Sequence, residues 1–336
     1  MRRQTYSPLI GSAMAATVIL LASACGTGEG EEQGESGTDS VRMGTAGEGG
    51  TYYYLGTAFA QEMRNDLGIL ADSVATAGGT ENLRRVASGD LDLAFSTIDD
   101  FMVVMQDEDR TPEEFKLLGT GHLTVQQAVV SSGSGIETIE QLAQPENRLG
   151  VGEPGSAVQH NAELILGAYG LTTEDVEAFE VSQSAAAEEM RNGNLDGAIF
   201  GGGVPLAAIT ELMTAGNFEV LEMDQTTIDH WSANTAYVEA LIPAGSYDGQ
   251  DEDITSIGQP TVLVVPSEMD DSMAYDLIRV IQESGQDLED AHPAATEYTI
   301  ENAFRDREFI EVEAELNYHQ GAIDWYEEND AWEPAN

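Results

Sequence analysis

Four glycines and a threonine stand directly in front of three tyrosines in "MGTAGEGGTYYYLG", residues 43–56. A glycine-rich loop that opens a helix can cradle phosphate on its backbone N–H groups. A P-loop also needs a lysine after its last glycine, to neutralise the phosphate charge. Here Gly50 is followed by Thr51, and Lys116 is the only lysine in the chain. A dinucleotide fingerprint running from Gly47 and Gly49 needs a third glycine where Tyr52 stands. Both nucleotide readings fail on residue identity. What the loop retains is backbone donors at a helix start, the Thr51 hydroxyl, and aromatic walls at Tyr52 and Tyr53. That set suits a small carboxylate without any cationic side chain. A tight turn with tyrosines packed in a core accounts for the same residues equally well.

A second loop, "GEPGSAV" at 152–158, lacks the G-x-S-x-G elbow, so Ser156 is not read as a hydrolase nucleophile. The five histidines, His122, His160, His230, His292 and His319, form no close metal spacing. With 61 acidic residues, a carboxylate pair arises easily by accident, so no catalytic dyad is assigned. Neither a metal site, a cofactor nor an enzymatic activity is expected. Arg84 and Arg85 are the nearest cations to the second glycine-containing loop, and a surface or inter-helix ion pair explains them more simply.

The chain has 336 residues, with 13 basic against 61 acidic side chains and a formal net charge of -48. Such a field excludes nucleic acid as an expected partner, because phosphate binding needs clustered Lys and Arg. The acidic residues are spread along the chain and read as a solvated surface, of the kind that keeps proteins soluble in salt. The first 24 residues read as a secretory signal: Arg2 and Arg3, then an apolar run from Leu9 to Ala24. "LLASAC" ends at Cys25, the only cysteine, in a pattern resembling a bacterial lipobox, although Ala22 stands where Leu is usual. Lipidation at Cys25 would anchor the protein outside the cytoplasm, with residues 25–40 as an acidic flexible linker. No intrachain disulfide can form.

These loops require elements to hold them. From residue 41, short strands alternate with amphipathic helices: "VRMGTA" as strand, "TYYYLGTAFAQEMRNDLG" as helix, "ILADSV" as strand, and "TENLRRVASGD" as a helix with Thr80 as N-cap. "LDLAFST", "QQAVVSS", "RLGVG", "LDGAIF" and "PTVLVVPS" are further strands, with helices between several of them. There is no sequence repeat, but one theme recurs: short strand, glycine-rich loop, helix start. The alternation predicts an α/β fold with mainly parallel sheets. Ligands in such folds collect at the carboxyl ends of strands, so loops 44–52, 76–82 and 152–159 are expected to meet in one cleft.

With these loops in hand, the sequence resembles the TAXI solute receptors, the extracytoplasmic binding proteins of one branch of the tripartite ATP-independent periplasmic (TRAP) transporters. The resemblance covers roughly residues 41 to 330 and runs through "MGTAGEGGTYYYLG", "ATAGGTENLRRVASGDLDLAFSTIDD", "SGIETIEQL" with "RLGVGEPGS", "LDGAIFGGGVP", "IPAGSYDGQDEDITSIG" and "NYHQGAIDWYEE", in that order. Two departures stand out. Tyr54 replaces a proline common in the family. The family's Gly-Ser-Gly-Thr turn reads Gly155-Ser156-Ala157-Val158 here, so the hydrogen bond from that threonine is lost.

The resemblance implies a two-lobed, periplasmic-binding-protein-like clamshell of type II character with a ligand between its lobes. Lobe one would comprise 41–125 plus 256–336, and lobe two 126–255. The implied function is capture of a small carboxylate, such as glutamate, glutamine or 2-oxoglutarate, for a TRAP-type permease. The alternatives are a binding lipoprotein of an ABC importer or a sensor, or an extracytoplasmic enzyme on a similar fold. The implied ligand contacts are Gly50, Thr51, Tyr52, Tyr53, Thr80 and Thr97 from lobe one, with Gly155, Ser156 and Pro205 from lobe two.

Overall fold

The computed structural model describes residues 40–107, 110–234, 237–305, 307, 310 and 315–332. The expected signal segment, the linker up to residue 39 and Cys25 lie outside the described residues. The first strand, β1 (Ser40–Gly44), feeds the glycine loop and then helix α1 (Thr51–Leu67). Buried Tyr52, Leu55, Gly56, Phe59, Ala60 and Met63 recur at helical spacing and give α1 one apolar face. Gly68 ends it in the left-handed conformation, with φ 68°. Strand β2 (Leu70–Val74), helix α2 (Gly79–Ala87) and strand β3 (Leu93–Thr97) follow. Helix α3 (Ile98–Asp107) begins at once after β3, where the sequence reading stopped.

The two longest strands are β4 (Phe115–Ser131) and, late in the chain, β10 (Ile254–Pro266). Between them lie α4 (Ile139–Leu142), β5 (Arg148–Gly150), α5 (Ala157–Gly167), β6 (Glu177–Phe179), α6 (Gln183–Arg191), β7 (Gly197–Gly202), α7 (Ala207–Ala215), β8 (Phe218–Leu221), α8 (Gln225–Asn234) and β9 (Val238–Ile242). Helix α9 (Asp271–Ser284) packs on the first part of the chain after β10.

The strand order is β2-β1-β3-β10-β4-β7-β5-β6, with β8 on β4 and β9 on β10. Each outer trio is parallel. The expectation of mainly parallel sheets needs correction, because β10 and β4 run antiparallel to each other and to every strand they pair with. They are the two crossings of the chain. β4 pairs with β10 at its start and with β7 at its end, whereas β10 pairs with β9 at its start and with β3 at its end. The register between β10 and β4 shifts between Pro260 and Val262 and again between Leu263 and Val264.

Buried apolar side chains segregate accordingly. One cluster draws on Val41 to Leu118 and on Val262 to Tyr326. Two others draw only on residues from Val125 to Ile257.

The recurring theme of strand, glycine loop and helix start rests on one local device. Arg42 on β1 grips Asp92 with its backbone N–H, Nε and Nη2, and its guanidinium also donates to the Gly89 carbonyl. Arg148 on β5 grips Asp196 in the same way and donates to the Gly193 carbonyl. The two acceptors sit in matching segments, Gly-Asp-Leu-Asp-Leu-Ala at 89–94 and Gly-Asn-Leu-Asp-Gly-Ala at 193–198. Gly44 and Gly150 stand two residues after their arginines. A Cβ on Gly44 would lie 2.4 Å from Leu91, and one on Gly150 would lie 3.3 Å from Leu195. The same strand–helix–strand unit is therefore built twice from one local device.

Candidate functional site

The three glycine loops do meet. Ala46, Gly50, Thr51 and Tyr52 from the first, Ala77, Gly78 and Gly79 from the second, and Ala157 and Val158 from the third line one cavity of about 550 Å³, part of it open to solvent. A smaller adjoining pocket joins Gly47 and Glu48 to Gly152, Glu153 and Ser156.

Two helix N-termini face the cavity. Gly50 caps α1 and Gly78 caps α2, neither with a side chain of its own, but at α2 the Gly78 N–H donates to Thr76 Oγ1 at 3.1 Å and the Ala77 N–H to Glu81 Oε2 at 2.8 Å. The leading N–H groups of a helix have no partner within it and carry partial positive charge, so they attract an anion. α5 arrives third, capped by the Ser156 hydroxyl, which accepts from the Gln159 N–H at 3.2 Å.

Of the expected contact residues, Gly50, Thr51, Tyr52 and Thr97 reach the cavity wall. Thr51 Oγ1 accepts from the Gly203 N–H at 2.8 Å, which leaves its own proton to donate. This bond joins α1 to the loop after β7. Tyr52 is buried; its ring stacks on Phe95 with centroids 4.8 Å apart. Its hydroxyl lies 3.2 Å from Thr124 Oγ1, 3.3 Å from Thr261 Oγ1 and 3.3 Å from the Ser96 carbonyl. Burial, and then the Asp100 carboxyl, push its pKa above the ordinary phenol value.

The other expected residues stand elsewhere. Thr80, Gly155 and Ser156 line an outer groove together with Arg84, Gln159 and His160. Thr80 is not the N-cap of α2, which is Gly78; its hydroxyl instead donates to Asp100 Oδ1 at 2.6 Å. Tyr53 is half-buried, packs edge-on against Tyr54 and is absent from the cavity wall. Pro205 follows a cis peptide bond beside the site but does not line it. Arg85 pairs with Glu81 within α2, as the simpler reading expects.

Several wall residues escaped the sequence reading: Asp100, Thr124, Asn161, Gln183, Tyr237 and Gln259. The Tyr237 hydroxyl donates to Asn161 Oδ1 at 2.6 Å, and the Gly201 N–H donates to Gln183 Oε1 at 2.9 Å. Asp100 is the most consequential. It is 4% exposed. Its Oδ2 accepts from the Thr97 hydroxyl at 2.7 Å and the Thr97 N–H at 3.2 Å. A Cβ on Gly79 would lie 2.0 Å from that oxygen, so only glycine fits there. Burial raises the pKa of Asp100, against the Thr80 and Thr97 bonds that lower it. Its neighbour Asp99 meets His160 on α5 at 2.9 Å.

Behind the wall, His122 is fully buried. Its Nδ1 lies 3.0 Å from the Tyr298 hydroxyl and its Nε2 lies 3.4 Å from Thr261 Oγ1. Burial holds its pKa down at about 3, with smaller contributions from His292 and Arg305, so the ring is neutral at ordinary pH. Among the described residues, no group of three or more His, Cys, Asp and Glu side chains is arranged to hold a metal. Among them too, no helix is long and apolar enough to cross a membrane.

A mixed sheet crossed twice by long antiparallel strands, with strand-end loops converging on one cavity, is the architecture of two-lobed periplasmic solute-binding proteins. A structure from Bordetella bronchiseptica RB50 matches with TM-score 0.55 and 14% identity over 87% of this chain and 98% of that one. PhnD1 from Prochlorococcus marinus MIT 9301, solved with methylphosphonate, matches with TM-score 0.52 and 14% identity over 80% and 98%. The binding protein component of an ABC phosphonate transporter from Pseudomonas aeruginosa matches with TM-score 0.50 and 12% identity over 73% and 74%. The sequence itself is more specific: the chain belongs to the NMT1-like family, whose model matches residues 43–329.

Proposed function

We propose that this protein is an extracytoplasmic receptor that captures a small solute with an anionic group and delivers it to a membrane importer, without chemistry of its own. One observation carries the reading. The N-termini of α1 and α2 face one cavity whose far wall is supplied by α5 and β7, and the α1 terminus carries no side-chain cap. The anion sits at the α1 N-terminus on the Thr51 amide, beside Gly50, with Tyr52 and Thr97 against the ligand body and Ser156 and Thr80 nearer the mouth. Segments 41–125 with 256–336 form one lobe and 126–255 the other, and closure is a hinge motion through β4 and β10. A signal segment at 1–24 directs export, and a lipid on Cys25 then holds the receptor at the outer face of the cell membrane.

The importer partner is the less determined part. Phosphonate-binding neighbours, one of them named as part of an ABC transporter, favour an ABC-type importer. The TRAP-type permease and a carboxylate cargo rest on the sequence resemblance alone. Thermal shift against carboxylates, sulfonates and phosphonates tests the receptor reading. A saturating ligand at a hundred times its Kd stabilises the fold by about 2.7 kcal/mol. Uptake in vesicles then separates the partners: dependence on ATP supports the ABC reading, and dependence on an ion gradient alone supports the TRAP reading.

A further inference from the structure

The cavity wall carries a contradiction for a purely anionic ligand. Its lining contains no Lys, Arg or His, yet it contains the buried carboxyl of Asp100. Asp99 stands beside it, and both carboxyls act on the Tyr237 hydroxyl across the cleft. The whole protein adds a net charge of -48. A second negative group brought against Asp100 would meet like-charge repulsion in a low-dielectric site.

Burial raises the pKa of Asp100, yet its surroundings oppose that shift, and an ammonium placed against it would favour the charged form. The carboxyl lies against the first turn of α2, whose dipole favours an anion. It accepts from the Thr80 hydroxyl, the Thr97 hydroxyl and the Thr97 N–H. A carboxylate offers about four lone-pair sites, so one acceptor position remains. Because Asp100 occupies the α2 end, the anion-attracting pole left for a ligand is the α1 terminus at Thr51. The wall therefore has a positive pole and a negative pole within one small cavity. Tyr52 and Tyr237 also line this space.

We infer that the ligand is a small zwitterion, its anionic group on the α1 amides and its ammonium on Asp100. The inference rests on the receptor reading above and narrows it. A dicarboxylate with no amine is excluded as the preferred cargo. The acid of the zwitterion is a carboxylate, sulfonate or phosphonate, all of which suit backbone amides.

The test is calorimetry on the purified protein with pairs that differ only by an amine: glutamate and glutarate, taurine and ethanesulfonate, 2-aminoethylphosphonate and ethylphosphonate. In at least one pair the amine-bearing member should bind ten-fold tighter or better. Asp100→Asn, checked for native circular dichroism, should bring that pair to within about two-fold. The wild-type comparison stands even if the variant fails to fold. If the amine-free members bind as tightly or more tightly, the inference is overturned while the receptor reading survives. A pair whose preference is unchanged in folded Asp100→Asn overturns the assignment of Asp100. If no member of any pair binds to folded protein, the anion-receptor reading fails and takes the inference with it.

Discussion

Gly79→Ala is the sharpest probe of the cavity wall. Gly79 lies in the first turn of α2, where helix propensity favours alanine over glycine by up to about 1 kcal/mol. On propensity alone the variant should be stabilised. The wall gives the opposite sign. The added Cβ would sit 2.0 Å from Asp100 Oδ2, 2.7 Å from its Cγ and 3.1 Å from Ser96 Oγ. To restore ordinary contact, the carboxyl must retreat by more than ~1 Å. Its bonds to Thr80 and Thr97, at 2.6 and 2.7 Å, do not survive such a shift. A hydrogen bond to a charged group contributes about 1.5–3 kcal/mol, so losing two outweighs the propensity gain and leaves about 2–5 kcal/mol of net destabilisation. Urea unfolding monitored by circular dichroism measures the difference. The same substitution in an Asp100→Ala background removes the obstacle and should be neutral or stabilising, giving a coupling energy above ~2 kcal/mol. A wild-type-background Gly79→Ala protein at least as stable as its parent would refute the packing argument.

Three further outcomes are expected. Thr51→Val leaves the Gly203 N–H without its acceptor, a cost of about 1–3 kcal/mol that falls on the closed form, so ligand affinity should drop about 5- to 100-fold while Thr51→Ser stays near wild type by calorimetry. His122 has a folded pKa of about 3, below its unfolded value near 6.5, so the unfolded chain binds the extra proton and stability falls as pH drops from about 6.5 toward 3. That group alone accounts for up to about 5 kcal/mol over the window, and unfolding midpoints of His122→Gln followed against pH should lack that part of the slope. Arg148 lowers the pKa of Asp196 chiefly through their hydrogen bond, so the pair's contribution is complete above the unfolded value near 3.8 and is lost as pH falls through the lowered folded value. Because both partners are partly exposed, Asp196→Asn should cost only about 1 kcal/mol at neutral pH, and the difference should vanish in acid.

Much of the scaffold is legible in the residues. The apolar spacing of α1, its glycine loop and its stop at Gly68 are local signals, and the structure bears them out. The meeting of the three loops follows from their places at strand ends. β4 was only half legible, because its middle carries Thr120, His122, Gln126 and Gln127, all fully buried, which erase the usual alternation of apolar and polar residues. Asp100 looked like one more surface acid. Its burial depends on the missing side chain of Gly79, far away in sequence, and no local pattern reports that. The paired arginine clamps were overlooked because each copy shares only a few fixed residues, Arg-x-Gly and Gly-x-Leu-Asp-x-Ala, across unlike helices.

The strand order also sets a timetable for the chain as it is made. Residues 125–257 hold both of their apolar clusters within one uninterrupted stretch. The cluster of the first segment is divided: Thr97 on β3 pairs with Thr261 on β10, and Val41 shares its core with Ile278 on α9. During N-to-C synthesis the middle of the protein can therefore be finished first, while β3 presents an unpaired edge until the last quarter arrives. An unsatisfied strand edge is a template for wrong partners. For the exported receptor proposed above, the same delay is useful, because the earliest segment cannot lock into its native form ahead of its tail.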